Sequence, residues 1–205
     1  MSELTDRELF RVRLRSLDLL KSLYVQEPDA ERMGRWRGIF SALAREQINP
    51  NVDVSIRECS NLLNTLRLQD LQQEYYRLFA DPFGADRVNT TASFYLDGHS
   101  YGQTLVSLRS FLDEVGLTKF AGIKESEDGL VVLLDTLASL VEEEKETGSR
   151  QVRVNQTRLL EEYILPFTCR FRRAVEANAY AVFYGACSRF LCGCLDLEKG
   201  LSDEN

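Results

Sequence analysis

Glu125 and Asp128 are the side chains whose types and spacing point most directly to chemistry. They are three residues apart, so on one helical turn both carboxylates would lie on the same face. Two such carboxylates can hold guanidinium groups in a bidentate geometry that lysine cannot match. Residues 121–146 hold eight acidic residues against two lysines, although the run at 142–146 is typical of a solvated helix end. The pair lies in an acidic stretch of an acidic chain, for which a cationic partner is the natural complement.

Groups suited to catalysis or metal binding are scarce in this sequence. His99 is the single histidine, so a Cys–His pair or a His-rich metal site has little to draw on. Cys187, Cys192 and Cys194 cluster without a C-x-x-C spacing, and we interpret them as small apolar residues of a helix. The sequence also lacks a G-x-x-x-x-G-K-[ST] phosphate loop. We predict that the protein is not an enzyme and has no metal, cofactor or tight nucleotide site.

Charge and hydropathy limit which functional classes the protein can belong to and indicate its cellular compartment. The 205 residues include 25 Lys+Arg and 32 Asp+Glu, and the formal net charge of −7 disfavours a general nucleic-acid binder. Residues 1–10 lack the basic and apolar regions of a secretory signal, and the apolar stretch 174–188 is too short and polar to span a bilayer. An odd number of cysteines, five, is typical of reduced thiols. These features predict a cytoplasmic protein without stable membrane insertion.

Apolar residues recur at helical spacing along most of the chain. Residues 101–115 and 130–141 carry two clear leucine stripes with steps of three and four. Residues 81–100 show no helical period and are rich in Asn, Thr, Asp and Gly, which predicts a long functional loop. The pattern predicts an all-α fold, a multi-helix bundle of roughly eight to ten helices. We expect one domain over 1–205, with a candidate hinge near 116–127 between its N-terminal and C-terminal helical halves.

Four pieces of sequence occur in a characteristic order. Residues 75–82 carry an aromatic-x-x-Leu-Phe-x-x-Pro turn, and residues 93–97 read Ser-Phe-Tyr-Leu-Asp. Residues 125–129 read Glu-Ser-Glu-Asp-Gly at the head of an apolar helix, and a Phe-Tyr pair follows at 183–184. In this order the pieces resemble the TorD/DmsD/NarJ family of chaperones for molybdenum-containing oxidoreductases. The resemblance covers roughly residues 70–198.

The resemblance implies an all-α cytoplasmic chaperone without catalysis. Members bind the twin-arginine leader, or signal peptide, of a client enzyme and assist cofactor loading before export. The implied partner is the apo form of a molybdoenzyme catalytic subunit with its signal peptide, bound by a monomer or a domain-exchanged homodimer. Two departures concern the acidic piece, since Gly129 replaces the family's histidine and Ser126 its proline. The histidine's role therefore does not carry over.

The resemblance also implies a set of leader-binding residues. Glu125 and Asp128 are expected to bind the leader's arginines, while the aromatic turn receives its apolar part. The positions that match the family's motifs are Tyr75, Leu78, Phe79, Pro82, Ser93, Tyr95, Glu125 and Asp128. Phe83, next to Pro82, is expected to bind the apolar part of the leader together with them. Ordinary core packing is the alternative for the apolar members, and capping of the following helix is the alternative for Asp128.

Two other functions remain open from the residues alone. One is a small acid–base hydrolase or nucleotide-binding enzyme that uses the loop at 81–102, with Asp97, His99 and the acids of 125–128 as its groups. The other is an interaction adaptor that shares the fold and has lost the leader site. An enzyme requires a preformed polar site, whereas a chaperone requires an apolar groove open to a peptide.

Overall fold

The structure is a computed structural model that describes residues 5–117 and 125–203. The described residues contain ten α-helices and two five-residue π-helical segments, Tyr76–Ala80 and Leu160–Ile164. The helices are α1 (Asp6–Tyr24), α2 (Ala30–Leu43), α3 (Pro50–Thr65), α4 (Leu68–Tyr75), α5 (Ala92–Asp97), α6 (Gln103–Glu114), α7 (Leu130–Thr147), α8 (Arg150–Leu159), α9 (Leu165–Glu176) and α10 (Phe183–Asp203). Within those ranges the only β-type pairing is an isolated bridge between Thr91 and Gly129. The all-α prediction is confirmed.

Local chemistry explains where several helices begin and end. The Asp29 side chain accepts the N–H of Arg32 at 2.8 Å and caps α2. Asn49 caps α3, and Pro50 occupies its first position, where a backbone N–H would have no helical partner. At the end of α7, Gly148 has φ 63°, a left-handed conformation that favours glycine. These boundaries follow from residues adjacent in sequence.

One helix lies where the sequence predicts a loop. Helix α5, Ala92–Asp97, falls within 81–100, so the prediction that this whole segment is irregular is wrong. Its six residues make fewer than two turns, too few to show a 3.6-residue period. Contacts from residues far away in sequence hold it in place, as described below.

The described chain divides into two compact units. Unit 1 contains residues 5–24, 90–117, 125–167 and 195–203, and unit 2 contains Val25–Asn89 and Thr168–Cys194. Both units are assembled from segments distant in sequence. Residues 118–124 of the candidate hinge lie outside the described residues, and the expectation of a single domain over 1–205 stays a prediction.

Unit 1 is organised around α1 packed along α7. A buried ionic group joins α1 and α7 to α8 and α10. The Arg13 guanidinium donates to Glu144 at 3.2 Å, to Glu198 at 2.9 Å and to Gln156 at 2.7 Å. Because each of these polar side chains is buried, the mutual hydrogen bonds compensate for the loss of water.

Unit 2 has a core rich in aromatic side chains. Trp36 of α2 stacks on Phe183 with ring centroids 5.9 Å apart, and Phe40 meets Phe190 edge to face at 5.1 Å. All four rings are buried, so α2 is fixed against the first turns of α10.

Candidate functional site

Asp128 lies in unit 1 and is fully buried. One carboxylate oxygen accepts the N–H of Ser93 at 2.8 Å, and the other accepts the hydroxyl of Ser126. The Asp128 carbonyl accepts the N–H of Ala92 at 2.9 Å, and Leu130 donates its N–H to the carbonyl of Thr90 at 2.9 Å. Asp128 therefore caps the first turn of α5 and binds that turn to the start of α7.

The two predicted carboxylates have different environments. Helix α7 begins at Leu130, so Glu125 and Asp128 do not share a helical turn. Glu125 is exposed, whereas Asp128 has no solvent contact. Glu127, between them, pairs with Arg109 at 2.9 Å.

The side chain of Asp128 caps α5 rather than α7, which begins after Gly129 without a side-chain cap. Asp128's predicted contact with a leader is untested.

Ser93 and Tyr95 stabilise the segment that Asp128 caps. Ser93 is fully buried, and its hydroxyl accepts the N–H of Tyr101 at 3.1 Å. The half-buried ring of Tyr95 lies 5.6 Å from that of Phe167 and meets Phe94 edge to face at 5.2 Å. Burial raises the pKa of Tyr95 above its ordinary value of 10.0. The exposed Phe94 is the ring of this segment that a partner could reach.

The loop after α5 is held by Asp97. Its carboxylate accepts both the N–H and the hydroxyl of Thr104 at 2.8 Å. Gly102 lies against that carboxylate so closely that a Cβ atom would collide with it. The Nδ1 atom of the exposed His99 lies 3.2 Å from the carbonyl oxygen of its neighbour Ser100. Asp97 thus has a structural role, and nothing in this geometry supports the hydrolase alternative.

Tyr75, Leu78 and Phe79 belong to the aromatic core of unit 2. Leu78 has no exposed surface and Tyr75 is 8% exposed. The ring of Phe79 lies 5.1 Å from that of Tyr184 and 6.4 Å from that of Phe171. Tyr75 and Leu78 are therefore buried, and the expected contacts of all three residues with a leader stay a prediction.

The turn after these residues presents Phe83. This ring is 94% exposed, and Pro82 beside it is exposed as well. Asp81 accepts the N–H of Phe83 at 3.0 Å, which closes an Asx-type turn. Val88 donates its N–H to the carbonyl of Leu78 at 2.8 Å and ties the end of the turn to its start. The turn therefore exposes an apolar ring to solvent on a backbone that these hydrogen bonds hold in place.

Glu74 is a buried carboxylate that sequence reasoning missed. It accepts the N–H of Phe183 at 3.1 Å and of Tyr184 at 2.7 Å, and so caps α10. Burial raises the pKa of Glu74, although the backbone N–H groups act in the opposite direction. The available signal was an acid between Leu71 and Tyr75 in an apolar stripe. A cavity of about 170 Å³ lies beside it.

The remaining expectations concern metals and membranes. In the described ranges, no three His, Cys, Asp or Glu side chains are grouped so as to hold a metal ion. Cys187 and Cys194 are buried, and Cys192 is half-buried. None of the helices found in residues 5–117 and 125–203 has the length and apolar character needed to cross a membrane.

Comparison with known proteins gives consistent results. Residues 45–173 match the family model described as nitrate reductase delta subunit. The TorD chaperone protein of Aliivibrio salmonicida is 26% identical over 191 residues, which cover 87% of this chain and 89% of that protein. A crystal structure of a protein from Archaeoglobus fulgidus, described as a redox enzyme maturation protein, superposes with a TM-score of 0.54 at 16% identity. That match covers 96% of this chain and 97% of the other, and it supports the fold.

Proposed function

Because the chain belongs to the nitrate reductase delta subunit family, we propose that it is a maturation chaperone for a molybdenum-containing oxidoreductase. It binds the apo catalytic subunit and assists cofactor loading before export. The TorD chaperone that is similar over most of both chains supports this assignment. In this proposal the protein performs no catalysis itself and contributes binding energy alone.

We propose that the chaperone recognises the twin-arginine leader of its client. The observation that carries this proposal is the hydrogen bond from Ser93 to Asp128, because exposed Phe94 adjoins Ser93 and exposed Glu125 lies three residues before Asp128. Asp128 and Ser93 act as positioning residues in this scheme. Glu125 supplies a carboxylate for arginine, and Phe94 supplies an apolar contact.

The turn of unit 2 supports the apolar part of the proposal. Phe83 is the most exposed large apolar side chain in the described chain, and a braced backbone loses little conformational freedom on binding. Tyr75, Leu78 and Phe79 support this turn from the core below it. Exposed ion pairs contribute only about 0.2–1 kcal/mol each, so most affinity must come from apolar burial at about 25 cal/mol per Å².

A peptide titration tests the proposal. The probe is a synthetic peptide with two adjacent arginines followed by an apolar stretch, and the control peptide carries lysines instead. We expect calorimetry to show binding that weakens about threefold to tenfold with lysine, because lysine lacks the planar guanidinium. Equal affinity for both peptides, or no binding of either, contradicts leader recognition.

Variants of the chain test the residues. Phe83→Ser should weaken binding severalfold, because the apolar contact is lost. The matched control is Val54→Ser, another exposed apolar position of unit 2, for which affinity should not change. Glu125→Gln should reduce the preference for arginine, with Glu146→Gln as its control. If each control variant loses as much affinity as its partner, the assigned positions are wrong.

A further inference from the structure

Tyr101 has the most unusual backbone of the described chain. Its φ is 62°, and among the residues described it alone has a positive φ without being glycine. A bulky side chain in the left-handed region is disfavoured, because its Cβ approaches the backbone too closely. Its ring is 77% exposed, so packing gives no compensation for this conformation. Unfavourable backbone conformations that persist without a packing reason are concentrated at functional positions.

The surrounding loop imposes this conformation from both sides. On one side Ser93 accepts the N–H of Tyr101 at 3.1 Å. On the other side Gly102 is pressed against the Asp97 carboxylate, which leaves no room for another residue type. Gly98 begins the loop with φ 86°. The ring of Tyr101 is therefore held in solvent at a defined place, beside the segment that Asp128 caps.

The backbone of Tyr101 is joined through hydrogen bonds to the acidic piece at 125–129, and acidic side chains favour a cationic ligand. Ser93 links Tyr101 to Asp128, and the sequence just before Asp128 carries Glu125 and Glu127. Glu127 forms an ion pair with Arg109 at 2.9 Å, and Glu125 is exposed. A guanidinium group can stack on the face of an aromatic ring and pair with a nearby carboxylate, and arginine does this better than lysine.

We propose that the ring of Tyr101 is the stacking platform for an arginine side chain of the bound peptide. This inference rests on the proposed function and adds a specificity residue to it. The strained loop is the means by which an aromatic face is held at the surface without being buried, on a backbone that Ser93 joins to the acidic piece at 125–129. Tyr101 thereby selects arginine over lysine, and Glu125 supplies the opposing charge.

Substitutions at Tyr101 test the platform without disturbing the fold. Tyr101→Asn removes the ring, and asparagine tolerates the left-handed region. We expect calorimetry with the two-arginine peptide to show affinity about 3–30-fold weaker than in the unchanged protein. Tyr101→Phe keeps the aromatic face and should retain most of the affinity. The control is His99→Asn, an exposed ring in the same loop, which should leave affinity unchanged.

A double-mutant cycle identifies the contact. If Tyr101 stacks on arginine, the losses from Tyr101→Asn and from arginine-to-alanine changes in the peptide will be non-additive for one of the two arginines. Thermal unfolding of each variant should match that of the unchanged chain. Additive losses, or a Tyr101→Asn variant that binds as tightly as the unchanged protein, overturn this inference and leave leader binding intact. Failure of the unchanged protein to bind the peptide overturns the proposed function together with this inference.

Discussion

Each unit contains a buried carboxylate that caps a helix, and the two differ in what surrounds them. Asp128 of unit 1 accepts one backbone N–H from Ser93 and one hydroxyl from Ser126. Glu74 of unit 2 accepts two backbone N–H groups, those of Phe183 and Tyr184. A hydroxyl can rotate and accept a hydrogen bond instead, whereas a backbone N–H cannot. The two sites should therefore respond differently to the same chemical change.

The residues around the two carboxylates differ as well. Asp128 binds Ser93, whose neighbour Phe94 is exposed, and Glu125 three residues before Asp128 is exposed as well, so the buried carboxylate fixes a segment with exposed side chains. Glu74 lies against the aromatic core of unit 2, where Tyr75 packs 5.8 Å from Tyr184 between ring centroids. One carboxylate organises a surface, and the other begins a core helix.

Removal of the Asp128 side chain should have the largest effect. Asp128→Ala leaves the buried N–H of Ser93 without its acceptor, and we expect a loss of about 2–3 kcal/mol in the free energy of unfolding. Urea denaturation of the variant and of Glu125→Ala measures the effect. The exposed control should change by less than about 0.5 kcal/mol. Equal, small changes for both variants would show that Asp128 does not hold α5.

Amide substitution should separate the two sites. In Glu74→Gln the new NH₂ faces a backbone N–H, so two donors oppose each other, and we expect a loss of about 1–3 kcal/mol. In Asp128→Asn the NH₂ can donate to the Ser126 hydroxyl, and the loss should be less than about 1 kcal/mol. Urea denaturation of both variants under one condition decides. A larger loss for Asp128→Asn would reverse the comparison.

The pH dependence should be the smallest effect. Burial raises the pKa of Glu74 above its ordinary value of 4.5, so the folded chain binds this proton more readily than the unfolded chain. The corresponding stability is present below pH 4.5 and is lost as pH rises through the folded pKa. The difference in unfolding free energy between the unchanged protein and Glu74→Gln should therefore decrease from pH 4.5 to 7. A difference that grows over this range would contradict the raised pKa.

Much of the helical architecture was predictable, because helix formation is a local property. Leu130, Leu134 and Leu137 occupy one face of α7, as their spacing predicts, and all three are buried. Gly148 ends that helix in the left-handed conformation that glycine favours. Helix α5 was not predictable from period, because its first turn depends on Asp128, 35 residues away from Ser93.

The candidate site shows the same division. The order of the four motifs identified the family and made both Ser93 and Asp128 candidate site residues. It did not predict that the two residues are joined by a hydrogen bond. The capping role of Glu74 was not predictable, because its partners Phe183 and Tyr184 lie 109 and 110 residues further along the chain. The conformation of Tyr101 was not predictable either: the stripe at 101–115 begins at this residue, whereas α6 begins at Gln103 and Tyr101 has a left-handed φ.

The sequence by itself determined most of the helical segments, with α5 as an exception, the acidic balance of the chain and the family to which it belongs. These depend on side-chain periodicity, on counted charges and on short motifs, all of which are properties of neighbouring residues. Only the tertiary structure decided which carboxylates face solvent. Glu125 and Asp128 are chemically alike and three residues apart, yet one is exposed and the other is buried. That difference arises because Ser93, 35 residues away in sequence, donates its N–H to the Asp128 carboxylate and so satisfies it away from water.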